Sequence, residues 1–165
     1  MKREPRKGWV SKLGIKDPES VADHSYRTAL MAMVYSDVHG LDTLRVLKMA
    51  LIHDLPEAIV GDSIPGERTK ERKLKLESTA MKEILEEMPP AQRREYGMIW
   101  QEFNSGESEE ALLVREVDKL EMAVQASEYR SAHAALGTEE FIESARAAIR
   151  DPDLLALLRL VSQPG

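Results

Sequence analysis

The chain lacks cysteine altogether, and its 165 residues contain few aromatic side chains and no long apolar run. Without cysteine it forms neither disulfides nor metal sites with thiolate ligands. No secretory hydrophobic segment precedes Trp9, and no run is long enough to cross a bilayer. We therefore expect a cytoplasmic protein with no membrane partner.

The chain also has fewer basic than acidic residues. Lys and Arg number 23 against 29 Asp and Glu, so the net charge is -6. Because proteins that bind nucleic acids neutralise backbone phosphates with basic side chains, this balance predicts no nucleic-acid partner. A small nucleotide is still compatible, since one local cation suffices to meet its phosphate.

The sequence shows no sustained alternation of apolar and polar residues between hairpin turns, so we expect no sheet. Apolar residues instead recur at steps of three and four, which is typical of amphipathic helices. The predicted fold is an all-α, single-domain bundle. Its helices are expected at about 20–38, 42–54, 56–60, 67–88, 90–103, 108–132, 138–148 and 152–161.

Two histidines and two aspartates stand out from this helical pattern. His53 and Asp54 are adjacent at the end of an apolar run, with His24 upstream and Asp118 downstream. His24 continues an apolar stripe that advances by three or four residues, so its side chain is expected to point into the protein. The other three lie at or beside the apolar faces of their helices.

Each of these residues alone has an ordinary structural explanation. His24 fits a hydrogen-bonded core histidine, Asp54 fits a cap on the helix that starts near Pro56, and Asp118 fits the partner of an arginine. Together, two inward imidazoles and two inward carboxylates need a shared cation or extensive pairing. Mixed ligation of this kind suits Co, Mn, Fe, Ni or Zn and leaves coordination positions for water and substrate. The set therefore favours a hydrolytic metal site.

The two remaining histidines indicate that this site holds one divalent metal ion. His39 follows His24 by roughly 22 Å along a straight helix, at about 1.5 Å per residue. His133 lies in a segment of small residues that has no acidic neighbour in sequence. Neither is expected to bind a second ion.

The pattern of His24, His53-Asp54 and Asp118 resembles the H, HD, D pattern of the HD-domain metal-dependent phosphohydrolases. The stretches PESVADHS (18–25), HDLPEAIVGD (53–62) and QASEY (125–129) are similar, more closely, to the HD-domain 5'-deoxynucleotidases. This resemblance implies a single HD domain over residues 1–165, with the motifs at about 6–129 and the helices of 138–161 packing on that part. It also implies hydrolysis of deoxyribonucleoside 5'-monophosphates to deoxynucleoside and phosphate by metal-activated water.

The resemblance further implies roles for individual residues. His24, His53, Asp54 and Asp118 would be the metal ligands. Glu57 would be the acid/base group near the metal water, and Asp62 would contact the sugar or orient the attacking water. On the residues alone, Glu57 also fits a carboxylate favoured in the first turn of a helix, and Asp62 fits a turn-forming aspartate.

The phosphate and the deoxyribose would be held by Arg6 and Trp9, according to the same resemblance. Many members of the family have these two residue types adjacent, whereas here Lys7 and Gly8 separate them. A basic cluster at 68–75 offers a further phosphate contact, for which Lys70 is the first candidate. The other interpretation of that cluster is a solvated helix face interleaved with glutamates.

Alternatives to this function remain at the sequence level. Another HD phosphohydrolase would act on a nucleoside triphosphate, a cyclic nucleotide or an alarmone. A noncatalytic helical metal-binding interaction module is the alternative from a different class. The long amphipathic helix at 67–88 suggests a subunit contact, and so we expect a homodimer or higher homo-oligomer.

Overall fold

The computed structural model describes residues 1–64, 66–132 and 137–163. Within these ranges the chain forms nine α-helices and no β-strand, which confirms the all-α, single-domain prediction. None of the described helices is long and apolar enough to cross a membrane. The helices are α1 (Lys7–Leu13), α2 (Val21–His39), α3 (Thr43–Ile52), α4 (Glu57–Val60), α5 (Lys70–Glu86), α6 (Pro90–Ser105), α7 (Glu109–Ala132), α8 (Glu139–Ala148) and α9 (Pro152–Ser162).

The helix ends follow local capping chemistry. Ser20 and Asp23 form a capping box at the start of α2, and Gly40 ends that helix in the left-handed conformation. Pro89 and Pro90 separate α5 from α6, and Pro90 is the first residue of α6. The ends of the eight predicted helices lie within three residues of the observed ends.

The core lies around α7. The helices α2, α3, α6, α8 and α9 all pack on α7, and α2 packs on α3 as well. Val46 and Met49 of α3 and Val117 of α7 are fully buried where these helices meet. This packing brings α2, the end of α3 and the middle of α7 together, and the two histidines and two aspartates lie on α2, on α7 and in the turn that follows α3.

One correction concerns the end of the second predicted helix. His53 and Asp54 were expected inside a helix over 42–54, but α3 ends at Ile52 and both residues lie in the turn before α4. Asp54 does not cap α4 with its side chain, because the N-cap of that helix is Pro56. In this turn both side chains point toward His24 of α2 and Asp118 of α7.

The sequence patterns missed α1. This helix has only seven residues, and Trp9 is the one buried among them, so it carries no apolar repeat. The residues just before α1 are bound to those just before α2. An isolated bridge pairs Pro5 with Ser20, and the Arg6 N–H donates to the carbonyl of Glu19 at 3.1 Å. These contacts fix the start of α1 beside the start of α2.

Candidate metal centre and adjoining cleft

The two histidines and two aspartates converge on one point. The Nε2 atom of His24 lies 3.1 Å from Oδ1 of Asp118 and 3.7 Å from Oδ2 of Asp54. The Nε2 atom of His53 lies 3.3 Å from the same Asp54 oxygen. Ligand atoms of His24, His53 and Asp118 all lie within 4.8 Å of one another. The prediction that His24 points inward is confirmed, since it is fully buried.

The other ring nitrogen of each histidine has its own partner. Nδ1 of His53 lies 2.7 Å from the carbonyl oxygen of Ala50, which can only accept, so Nδ1 carries the proton. Nδ1 of His24 contacts the carboxylate of Glu121. Both Nε2 atoms are buried, and neither has a hydrogen-bond partner among the described residues. A buried lone pair facing carboxylate oxygens is unfavourable unless a cation lies between them, so these residues fit a divalent metal ion.

The electrostatics of the cluster lead to the same conclusion. Burial and the charge of Arg6 lower the pKa of His24, but the contacts with Asp118 and Glu121 outweigh them and raise it to about 10. Burial raises the pKa of Asp54, yet the adjacent imidazoles and Arg6 leave it below the ordinary value of an aspartate. The cluster thus attracts positive charge, which protons supply to the imidazoles when no metal ion is bound.

Glu57 lies next to this cluster, at the start of α4. Its side chain is buried, and its Oε2 atom has no hydrogen-bond partner in the described part of the chain. The nearest cation to its Oε1 atom is Nζ of Lys73, at 3.9 Å. Burial and the charges of Asp54 and Asp62 raise the pKa of Glu57 to about 9. A carboxyl group of this kind can hold or accept a proton near neutral pH.

A cleft opens beside the cluster, and the start of α1 forms one of its walls. Its lining includes Arg6, Trp9, Glu57, Asp62, Lys73 and Lys119 together with Asp54 and Asp118. The Arg6 guanidinium donates to Asp54 across 3.3 Å. Arg6 and Trp9 are the N-cap and the third residue of α1, so one helical turn brings both to the cleft although they are not adjacent in sequence.

Trp9 is more deeply buried than a substrate platform requires. Only 2% of it is exposed, and its ring packs against Phe141 and Tyr129 with centroid separations of 4.3 and 5.3 Å. Its indole N–H donates to Oε1 of Glu19 at 2.9 Å. Trp9 is therefore a core residue whose remaining surface borders the cleft.

Asp62 ties the loop after α4 to the start of α1. Its Oδ2 atom accepts the backbone N–H of Lys7 at 2.6 Å, and its Oδ1 atom accepts that of Ser63 at 2.8 Å. The preceding Gly61 has φ +72°, and a Cβ there would lie 3.0 Å from the carboxylate of Glu4. Asp62 is thus a turn aspartate that also borders the cleft.

Known proteins resemble this chain over most of its length. A family model described as the HD domain matches residues 1–152. The chain belongs to the HD domain family. The 5'-deoxynucleotidase HDDC2 of Homo sapiens is 39% identical over 160 residues, which cover 96% of this chain and 78% of that protein. The protein of the same name from Danio rerio is 39% identical over 165 residues and covers 99% and 82% of the two chains.

A solved structure has the same fold. The PH0347 protein from Pyrococcus horikoshii OT3 superposes with a TM-score of 0.80 at 34% sequence identity. The match covers 97% of this chain and 91% of that one. The helical arrangement described above therefore also occurs in that protein.

Within this HD domain, the basic residue of α5 that lines the cleft is Lys73, whereas Lys70 was the first candidate. Lys70 is exposed in the first turn of α5 and, among the residues described, is not part of the cleft lining. Lys73, one turn later, faces Glu57 and Glu77. Lys70 is the first residue of α5, so it lies one turn before the position from which Lys73 meets Glu57 and Glu77.

Lys119 is a second cation that the sequence patterns missed. Its Nζ atom lies 2.9 Å from Oδ2 of Asp118, and it lines the cleft. Its position directly after a proposed ligand was the available signal. Of the two histidines not expected to bind metal, His39 lies 3.7 Å from Asp153 at the end of α2, and His133 lies outside the described residues.

Proposed function

We propose that this HD domain is a metal-dependent 5'-deoxynucleotidase that hydrolyses deoxyribonucleoside 5'-monophosphates to deoxynucleosides and phosphate. The observation that carries the proposal is the pair of buried, unpartnered Nε2 atoms of His24 and His53, which face two carboxylates at the edge of a cleft lined by cations. The names of the Homo sapiens and Danio rerio relatives support the choice of substrate class.

The metal ligands in this proposal are His24, His53, Asp54 and Asp118. Two imidazoles and two carboxylates suit Co, Mn, Fe, Ni or Zn and leave positions for water and a phosphate oxygen. When bound, the ion would lower the pKa of a coordinated water and neutralise charge on the phosphoryl group.

Arg6, Lys73 and Lys119 are the cations proposed to receive the phosphate. Arg6 and Lys119 each contact a proposed ligand carboxylate, at 3.3 and 2.9 Å. Their positive charges therefore lie beside the place where the phosphate would meet the cluster. Phosphoryl transfer requires mainly this positioning and electrostatic stabilisation from the protein.

Glu57 is proposed as the group that moves the proton. Hydrolysis adds water across the bond between phosphorus and the 5'-oxygen, so one proton leaves the attacking water and one reaches the leaving oxygen. The Oε2 atom of Glu57 is free of hydrogen bonds to the described residues, and the raised pKa lets it hold a proton near neutral pH. Its carboxyl group can therefore give this proton to the leaving 5'-oxygen and take one from the attacking water, which restores it after each turnover.

Trp9 and Asp62 are proposed to shape the sugar site. Both border the cleft at the start of α1, and both have their polar atoms bound to other groups of the protein. Their contribution would be to limit the space available to the sugar. Trp9 would thereby disfavour a 2'-hydroxyl.

Phosphate release from a panel of nucleotides tests the function. Protein stripped of metal and reloaded with Co, Mn, Zn or Mg is assayed on deoxy- and ribonucleoside mono- and triphosphates. We expect metal-dependent release from the deoxymonophosphates, loss of that release in Asp54→Asn, and unchanged release in the control Asp17→Asn, whose side chain is exposed. Protein that binds metal but releases phosphate from no monophosphate would favour another HD phosphohydrolase, acting on a triphosphate, a cyclic nucleotide or an alarmone. Protein that binds no metal and releases no phosphate would favour an interaction module.

Self-association and a cytoplasmic location complete the proposal. Leu30, Val34 and Val38 are exposed at successive four-residue steps along α2, and Leu74 is exposed on α5. Covering such apolar surface would stabilise a homodimer or higher homo-oligomer. Sedimentation velocity decides between a multiple of 18.6 kDa and the monomer, and fractionation of cells that carry a tagged chain tests the location.

A further inference from the structure

A buried glutamate lies directly behind one of the proposed metal ligands. Glu121 is fully buried on α7, one helical turn after Asp118, and its carboxylate contacts Nδ1 of His24. Residues three apart on a helix share a face, so α7 directs both acids toward α2. Asp118 meets the Nε2 side of the ring and Glu121 the Nδ1 side.

On α2, an arginine lies three residues after His24 and contacts the same glutamate. Arg27 lies one turn after His24 and donates from Nε to Oε1 of Glu121 at 2.8 Å. Its Nη1 donates to both carboxylate oxygens of Glu128 at 2.9 Å, and its Nη2 donates to Gln125 at 2.6 Å. The guanidinium thus compensates the negative charge of Glu121 and fixes the carboxylate in place.

We propose that Glu121, held by Arg27, is the positioning residue that makes His24 a metal ligand. A carboxylate at Nδ1 keeps the proton on that nitrogen, so the Nε2 lone pair faces Asp54 and Asp118. The same contact fixes the ring plane and strengthens Nε2 as a donor. The inference rests on the metal centre of the proposed function and adds the residues that support it.

The contrast with His53 sharpens the proposal. His53 donates from Nδ1 to a neutral backbone carbonyl, that of Ala50, whereas His24 meets a buried charge. An anionic partner withdraws the ring proton more strongly than a carbonyl does, and so His24 should be the stronger donor of the two. Removing the charge of Glu121 should therefore weaken metal binding without removing any ligand.

A different interpretation of the same groups is a second cation site, since ligand atoms of Glu19, His24 and Glu121 also lie within 4.8 Å of one another. The positive charge there is already supplied by Arg27, whose Nη2 is 2.7 Å from Glu121 and 4.0 Å from Glu19. Oε1 of Glu19 also accepts the indole N–H of Trp9. The geometry therefore favours a support for His24 over a second ion.

The test measures Co²⁺ affinity without nucleotide, by competition with a chelating dye. The variant is Glu121→Gln, which keeps the shape and removes the charge, and the matched control is Glu128→Gln, which changes the exposed partner of the same Arg27. We expect Glu121→Gln to bind Co²⁺ about 10- to 100-fold more weakly, the usual effect of losing a residue that supports a metal ligand. Glu128→Gln should stay within about two-fold of the wild type, because an exposed ion pair contributes little.

Two results would contradict different claims. Wild-type protein that binds no Co²⁺ would overturn the proposed function, whereas wild-type binding matched by Glu121→Gln would overturn this inference alone. If Glu121→Gln does not fold, Arg27→Lys decides instead, since it keeps the charge and loses the planar fork. Unchanged affinity in that variant would equally contradict the role assigned to the pair.

Discussion

Glu57 is a buried acid whose titration should be visible in stability. Its pKa is raised from the ordinary glutamate value of 4.5 to about 9, chiefly by burial. Between these two pH values the folded protein keeps a proton that the unfolded chain has released. The stability of metal-free protein should therefore fall as pH rises from about 4.5 to about 9.

Replacing Glu57 with Gln should remove this pH dependence. At pH 5 the carboxyl group is protonated in the folded state and the substitution changes little. At pH 8.5 the variant should melt higher than the wild type by about 3 °C or more, since 1 kcal/mol corresponds to roughly 2–4 °C for a chain of this size. The measurement is thermal unfolding in chelator across this pH range.

The exposed Glu71 supplies the control for that experiment. Glu71→Gln should follow the wild-type melting temperature at each pH. Parallel pH profiles for Glu57→Gln and the wild type would mean that Glu57 does not keep its proton in the folded protein.

Lys73 and Lys70 make a matched pair one helical turn apart. Lys73→Met should reduce kcat/KM for a deoxymonophosphate about ten-fold, equivalent to about 1.4 kcal/mol of lost transition-state stabilisation, because it removes a cation from the cleft. Lys70→Met should leave kcat/KM unchanged, because Lys70 is exposed outside the lining. A larger loss of kcat/KM in Lys70→Met than in Lys73→Met would instead assign the phosphate contact to Lys70.

At the scale of elements, α1 depends on Asp62. The carboxylate accepts the N–H of Lys7, the first residue of this seven-residue helix, and so replaces the side-chain cap that Arg6 cannot provide. Asp62→Ala should cost about 1–2 kcal/mol, as loss of a helix cap does. We expect the cost to appear as faster hydrogen exchange of the amides of α1, observed by mass spectrometry.

Asp151→Ala is the comparison for this prediction. Asp151 caps α9 through the N–H groups of Asp153 and Leu154. Its loss should speed exchange in α9 and leave α1 protected. Equal protection of α1 in both variants would show that the isolated bridge between Pro5 and Ser20 holds that helix without Asp62.

Most of the elements could be predicted from the chain because their ends carry local signals. Ser20 with Asp23, Gly40 and Pro90 each act within one turn, and the core faces repeat every three or four residues. The helix α1 has no side-chain cap at its start and no apolar repeat, and Gly14, which ends it in the left-handed conformation, is a local signal of its end alone. Its position depends on hydrogen bonds from Arg6 to Glu19 and from Lys7 to Asp62. These partners come close to α1 only when the chain folds.

The same distinction applies to the site. His24, His53, Asp54 and Asp118 were candidates because inward polar residues on apolar helices are unusual, and the structure brings all four together. Lys73, Arg27 and Glu121 were not singled out, because charged residues on long helices are ordinary. Arg27 and Glu121 each lie three residues after a proposed ligand, His24 and Asp118, and so share its helix face. This spacing was the available sequence signal for both.

For the molecule as a whole, the proposed metal ion links α2, the α3–α4 turn and α7. An ion that binds only the folded state at 100 times its Kd adds about 2.7 kcal/mol of stability. Saturating Co²⁺ should therefore raise the melting temperature by roughly 5–10 °C, and chelator should reverse the rise. Asp118→Asn should melt at the same temperature with and without Co²⁺, and a retained shift would place the stabilising ion elsewhere.

The central claim is that His24, His53, Asp54 and Asp118 together hold one divalent cation. Anomalous diffraction at the cobalt edge from crystals grown with Co²⁺ tests it most directly. The account predicts one dominant peak, bound by Nε2 of both histidines and by both aspartates at about 2.0–2.2 Å, the usual range for nitrogen and oxygen ligands of such ions. A dominant peak between Glu19, Glu121 and Nδ1 of His24, or none near His24, would contradict it.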